Sequence, residues 1–302
     1  MQRGASGEAE MQYRQVRVIS GKGSRPEQFT TTLRGIALDR TGGLYAVGNS
    51  EVKLFDADGT LRRRWPTSKP GHCVAVDRDG TVYVGQEGQV ERFGADGKPL
   101  DAWRDGERMG LVTAIGLTED DVLIADVRER CIRRYDKRGR FRNDIGKDNR
   151  TRGFLIPNGV LDLAVDADGI IHAANPGKHR VERYSLEGKL LGRFGRFTGP
   201  DPRGFSGCCN PTNLTVTRAG HVVVTEKAGP RAKVYDATGK LLAIVADDTF
   251  DQNCKNMDVA VDAQGRIYVV DTVRLHICVF APVDNQAASQ PASAPAEGAA
   301  KP

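Results

Sequence analysis

The sequence predicts an all-β fold, a six-bladed β-propeller closed by an N-terminal strand that docks on the last blade. Three observations predict it: a strand–turn–strand phrase that recurs six times, a repeat period suited to four short strands, and the absence of helical periodicity. The clearest copies are Cys73-Val-Ala-Val-Asp-Arg-Asp-Gly80, Leu163-Ala-Val-Asp-Ala-Asp-Gly169 and Val259-Ala-Val-Asp-Ala-Gln-Gly265. Weaker copies begin at Ile36, Ile115 and Leu214. The turn anchors at 39, 77, 118, 166, 217 and 262 are spaced by 38, 41, 48, 51 and 45 residues. That spacing is the period of propeller blades rather than of helical solenoids.

Each copy continues into a β-rich run such as Val82-Tyr-Val, then a strand ending in an aromatic residue: Phe55, Phe93, Tyr135, Tyr184, Tyr235 and Phe280. A second turn follows in five copies, for example Asp56-Ala-Asp-Gly59. The sixth copy has no fourth strand after Phe280, and Tyr13-Arg-Gln-Val-Arg-Val-Ile19 is available to supply it, removing open sheet edges. One propeller domain is therefore expected over 13–281, with blades at about 33–65, 72–103, 112–145, 158–194, 210–245 and 256–280 plus 13–19. Residues 1–12 and the Ala/Pro-rich tail 282–302 have little to bury and read as disordered.

The blades resemble NHL-repeat propellers. The carrying pattern is Gly, two or three apolar residues, Asp and Gly, then an apolar strand, an acidic residue, a basic–Ile pair and an aromatic. It is matched over Val259–Phe280, with Asp271, and over Leu163–Tyr184, with Asn175, Arg180 and Val181. The resemblance implies the fold over roughly 33–280 but no single activity, since such propellers serve as enzymes, sensors and scaffolds. Amidating lyases of this type look like rings with zinc-binding His residues one step before the first inner-strand Gly. Here those steps are Arg34, His72, Thr113, Leu161, Thr212 and Met257, so that zinc set is absent. The Asp of the related lactonases is not supplied at Leu161, Thr212 or Met257.

Function is expected on the face that carries the loops entering each innermost strand. Gly207-Cys-Cys-Asn-Pro211 precedes blade five and Asn253-Cys-Lys-Asn256 precedes blade six, with Cys209 and Cys254 at the same register. Pro211 favours an extended Asn210, which would turn Cys208 and Cys209 in different directions. Cys208, Cys209 and Cys254 are thus candidates for a soft-metal centre (Zn or Cu), a redox pair, a structural disulfide (Cys209–Cys254 or Cys208–Cys254) or inert buried thiols. Asp162, Asn213 and Asp258 stand at the start of three consecutive inner strands and offer hard oxygen donors for Ca²⁺ or for a polyol's hydroxyls. The same residues serve equally as acceptors for loop N–H groups. His72 and Cys73 stand together before blade two; a nucleophilic pair would need direct hydrogen-bond reach.

The net charge is +5, with eight Lys/Arg over 128–142. This run reads as a solvated blade edge, and nucleic acid is not the expected partner. No apolar run reaches the roughly 18 residues of a membrane span, and no signal-peptide core is present. The expected protein is a monomeric binding propeller that takes a protein or small-molecule ligand at residues including His72, Asp162, Asn213 and Asp258. The alternative is a metal- or thiol-dependent enzyme built on the three cysteines. Adjacent cysteines and the tail suit an extracytoplasmic bacterial protein.

Overall fold

The computed structural model describes residues 11–147, 152–199, 201–246 and 248–283. Of the segments read as disordered, 1–12 and 282–302, residues 1–10 and 284–302 lie outside the described residues, whereas Pro282 ends a strand and the Val283 N–H donates to the Gln12 carbonyl at 2.8 Å. Six four-stranded antiparallel sheets form the ring. Blade one is β2 (Gly35–Leu38), β3 (Leu44–Gly48), β4 (Glu51–Phe55) and β5 (Leu61–Pro66). Blade two is β6 (Cys73–Val76), β7 (Val82–Gln86), β8 (Gln89–Phe93) and β9 (Pro99–Arg104). Blade three is β10 (Val112–Leu117), β11 (Asp121–Asp126), β12 (Cys131–Asp136) and β13 (Phe141–Ile145). Blade four is β14 (Leu163–Val165), β15 (Ile171–Asn175), β16 (Arg180–Tyr184) and β17 (Leu190–Phe194). Blade five is β18 (Asn213–Val216), β19 (Val222–Glu226), β20 (Arg231–Tyr235) and β21 (Leu241–Ala246).

Blade six joins both ends of the chain. It takes β22 (Val259–Val261), β23 (Ile267–Asp271) and β24 (His276–Pro282), with β1 (Tyr13–Ser20) as its outer strand. β1 runs antiparallel to β24 from Tyr13 opposite Pro282 to Ser20 opposite His276, with a register shift between Gln15 and Arg17. Ile19 is the buried anchor of this closure. It is 3% exposed and packs into the core between blades six and one with Ile277, Tyr268 and Leu44.

The repeated residues each have a local task. The anchor Asp of the first turn accepts backbone N–H groups across the turn, as Asp39 does from Thr41 and Gly43 and Asp262 from Gln264 and Arg266. The turn glycines, Gly80 and Gly169 among them, take positive φ, which costs glycine no Cβ clash. The aromatics that end each third strand pack between blades, for example Phe93 against Trp65 at a ring separation of 6.0 Å.

A second regularity runs along the upper ends of the blades. The last residue of the second strand is Gln86, Asp126, Asn175, Glu226 or Asp271 in blades two to six, and each is fully buried. These side chains hold the overlying segments. Asn175 accepts the Leu155 N–H at 3.1 Å, and Asp271 accepts those of Asp251 at 3.0 Å and Arg274 at 2.7 Å. In blade one this place is Gly48, where a Cβ would meet the Thr32 carbonyl oxygen at 2.0 Å. Neighbouring Asn49 takes over by accepting the N–H groups of Thr31 and Thr32. The loops on this face are therefore fixed by buried polar side chains.

Ile19→Ala is expected to destabilise the whole ring by about 2–5 kcal/mol, the usual cost of emptying a core isoleucine site. Val18→Ala, on the exposed side of the same strand, should stay within about 0.5 kcal/mol. Denaturant unfolding monitored at tryptophan, with Trp65 and Trp103 in blades one and two, checks this. Loss confined to blade six, with an unchanged Trp transition, would contradict closure by β1.

Candidate functional site

The inner strands of all six blades line an axial cavity of about 260 Å³ that Cys73, Asp162 and Asp258 reach. Above it, the entering loops surround a mouth of about 240 Å³ whose walls include Arg34, His72, Thr113, Asn213, Lys255 and Asp258. Asp258 belongs to both spaces. It is half-buried, and Asp162 is 5% exposed.

Both carboxylates are bound twice. Asp162 Oδ1 accepts the Leu163 N–H at 2.9 Å, and its Oδ2 accepts that of Leu214, in the next blade, at 2.8 Å. Asp258 repeats this, accepting Val259 at 2.9 Å and Ile36, across the closure, at 2.7 Å. Burial raises Asp258 to about 6 against the lowering effect of these N–H groups. Burial and the nearby Asp258 charge push Asp162 well above the ordinary carboxylate range. The two acids titrate as a pair. Cys73 faces the same axis: burial first, then the Asp258 and Asp162 charges, raise its thiol well above its ordinary value.

These contacts belong to a ring of polar links at the blade boundaries. Arg34 Nη1 donates to His72 Nδ1 at 2.9 Å between blades one and two. Cys73 Sγ donates to the Val112 carbonyl at 3.8 Å between two and three. Thr113 Oγ1 donates to the Leu161 carbonyl at 2.7 Å between three and four. Asp162 joins four to five, Thr225 Oγ1 donates to the Met257 carbonyl at 2.7 Å between five and six, and Asp258 joins six to one.

His72 and Cys73 are thus committed to different neighbours and do not form a nucleophilic pair with each other. Arginine has no lone pair to offer, so His72 Nδ1 must be the acceptor and Nε2 carries the hydrogen. Burial, then the Arg34 charge, lowers the His72 pKa, which keeps the imidazole neutral near pH 7.

Asn213 is 5% exposed and its amide helps hold Asp162, yet its Oδ1 has no hydrogen-bond partner. Asn213 is one of the residues that wall the mouth. The mouth consequently combines cationic Arg34 and Lys255, a neutral imidazole, and oxygen acceptors from Asn213 and Asp258.

The cysteines divide. Cys208 and Cys209 sit with their sulfurs 2.7 Å apart, rather than turned away from each other. The cause is Asn210, fully buried, which folds the segment by donating to Ser206 and Lys227 carbonyls and accepting the Lys227 N–H. Cys254 instead hydrogen-bonds Asp271 and packs among blade-five and blade-six core residues with Cys278. Among the described residues no bond or shared partner joins it to Cys209. Among the described residues all six cysteines are free, and no group of three or more His, Cys, Asp or Glu is placed to hold a metal.

The basic run at 128–142 is a solvated edge in part, with Arg128, Arg138, Arg140 and Arg142 exposed. Arg133 is buried between Asp126 at 2.8 Å and Asp144 at 3.0 Å, and Arg134 pairs with buried Asp121 at 2.8 Å. Arg34, Thr113 and Lys255 are mouth residues that the sequence reading did not single out as a site. The available signal was that Arg34, His72 and Thr113 occupy one step in three consecutive blades.

Comparisons with known proteins agree on the fold. No family model matches the chain. It is 28% identical over 125 residues to protein brain tumor of Drosophila melanogaster, a match covering 41% of this chain and 11% of that protein. The chain thus spans about a tenth of the length of that relative. It is similar to a Bacteroides thetaiotaomicron VPI-5482 structural genomics protein of unknown function, with TM-score 0.67 and 15% identity over 91% of this chain and 76% of that one. It is also similar to virginiamycin B lyase from Staphylococcus aureus, with TM-score 0.59 and 12% identity over 91% of this chain and all of that one. At these identities the structural likeness shows the six-bladed propeller and nothing finer.

Raised carboxylate pKa values mean that the folded ring keeps protons the unfolded chain releases between about pH 4 and about pH 6. The stabilisation from protonated Asp258 is present below that window and lost as pH rises through it. Buried His172 and half-buried His72 and His276, all lowered, act in the opposite sense, so the variant comparison isolates the acids. Asp258→Asn should destabilise more at pH 5 than at pH 8, by a few degrees of Tm, at about 2–4 °C per kcal/mol. Thermal melts at both pH values check it; an equal loss at each would refute the raised value.

Proposed function

We propose that this chain is a binding propeller that accepts a small polar ligand, or a protruding group of a protein partner, in the mouth of its axial channel. The observation that carries the reading is Asn213 Oδ1, a buried acceptor without a partner on a residue that walls that mouth. Leaving such an atom unsatisfied costs about 1–3 kcal/mol, which a ligand O–H or N–H would recover. Asp258 supplies a second acceptor and Thr113 lies beside them, while Arg34 and Lys255 suit an anionic group entering from outside. The ligand class with that distribution is a hydroxylated acid or a polar side chain bearing donors beside an anion.

The enzyme alternative would need a catalytic set. Of the cysteines proposed for it, Cys208 and Cys209 lie together while Cys254 packs elsewhere, and His72 and Cys73 have other partners.

Calorimetric titration against a panel of hydroxy acids, polyols and short acidic peptides tests the proposal. A bound member should lose about tenfold in affinity, about 1.4 kcal/mol, in Asn213→Ala and in Arg34→Ala, while Val18→Ala binds like the wild type. Binding unaffected by both mouth variants, or turnover of a panel member, would displace this reading.

A further inference from the structure

The segment entering blade five holds a second chemical feature, separate from the mouth. Cys208 is exposed, Cys209 is buried, and their sulfurs are 2.7 Å apart. That separation is longer than the roughly 2.05 Å of a disulfide, and because adjacent Cα atoms, about 3.8 Å apart, are closer than in most disulfides, a bond formed between them would be readily reduced again. The pair is held in a built frame. Asn210 ties Ser206 to Lys227, and His179 Nε2 donates to the Gly207 carbonyl at 2.8 Å. The Lys227 ammonium lies beside both thiols.

We propose that Cys208 and Cys209 are a dithiol that closes reversibly to a vicinal disulfide by exchange with a low-molecular-weight disulfide of the oxidised-glutathione class. The Cys208 thiolate attacks one sulfur of the small disulfide, the S–S bond breaks, and the released thiolate takes up a proton. Cys209 then loses its proton, and its thiolate attacks Cys208 Sγ within the mixed disulfide. The second small thiol leaves with a proton. One small disulfide is reduced to two thiols as the two protein thiols are oxidised to one disulfide.

The division of labour follows from the surroundings. The Cys209 hydrogen bond and then the Lys227 charge lower the Cys208 pKa, favouring the attacking thiolate. Burial and then the bond to Cys208 raise Cys209, so it acts second, once Cys208 has ceased to be a thiol. The other four thiols are buried and pushed up by that burial: Cys254 to about 11, Cys131 and Cys278 to about 12, and Cys73 well above its ordinary value. They are poor competitors for the reaction.

The test equilibrates the reduced full chain in reduced/oxidised glutathione mixtures, counts free thiols after denaturing in acid, and maps the modified peptides by mass. The wild type should fall from six free thiols to four without a retained glutathione, in one peptide carrying both 208 and 209. Cys209→Ser should retain a glutathione on Cys208, and Cys208→Ser should keep all five thiols. Retention of six thiols in the wild type under a mixture that glutathionylates Cys209→Ser would overturn the proposal. So would a disulfide that includes Cys254 or Cys73, absence of reaction in every form, or reaction of Cys208→Ser at Cys209.

Discussion

Asp162 and Asp258 each accept one N–H from their own inner strand and one from the inner strand of the next blade. A blade buries its faces only against its neighbours, so the geometry at each boundary decides whether six sheets close. The two carboxylates set that geometry at the 4–5 and 6–1 boundaries, the latter being where the ends of the chain meet. Placing an acid there in an interior of low polarity is costly, and the raised pKa values record the cost. The same two groups line the axial space, with Asp258 also in the wall of the mouth, so closure of the ring and chemistry of the site share atoms.

Around these stitches the upper face is stiffened by buried charge. The equivalent position of each third strand carries Lys53, Glu91, Arg133, Glu182 and Lys233 in blades one to five, and Cys278 in blade six. Lys53 reaches the Pro26 carbonyl at 2.6 Å, and Lys233 reaches those of Pro202 and Gly204 at 2.8 and 2.7 Å. Each ammonium also lies over an aromatic ring, Phe29 and Phe205 respectively. Long segments that enter the blades are thereby anchored by charge-assisted bonds at a depth where an unpaired charge would be strongly destabilising. A mouth built from such segments is preorganised, which reduces the ordering that binding would otherwise require.

The repeat made the fold legible because its period is a property of the backbone: Asp–x–x–Gly turns and alternating strands recur wherever a blade recurs. The closing strand was legible for the same reason, since the sixth copy lacks one partner and residues 13–19 have none of their own. Asp162, Asn213 and Asp258 were visible as departures from glycine at one register, and inner-strand starts converge on the axis. Cys209 and Cys254 share a register too, but they belong to segments that are rotated about the ring from one another. Equivalence within a repeat brings residues together only near the axis; away from it, each follows its own blade. Asn210 shaped the cysteine pair through one bond to nearby Ser206 and two to Lys227 in the next hairpin, which local preference at Pro211 did not contain. Arg34 and Lys255 were hidden because a cation at a loop end reads as ordinary surface until the loops are folded over one opening.

The most direct measurement is a carbon-13 NMR titration of the Asp162 and Asp258 side-chain carboxyls in the intact chain, assigned with single Asn variants. The account predicts two coupled transitions displaced upward from the ordinary carboxylate range near 4, with Asp162 moving down when Asp258 is neutralised by substitution. Independent titration of both groups near the ordinary value would contradict the buried, twice-bonded axial pair on which ring closure and mouth both rest.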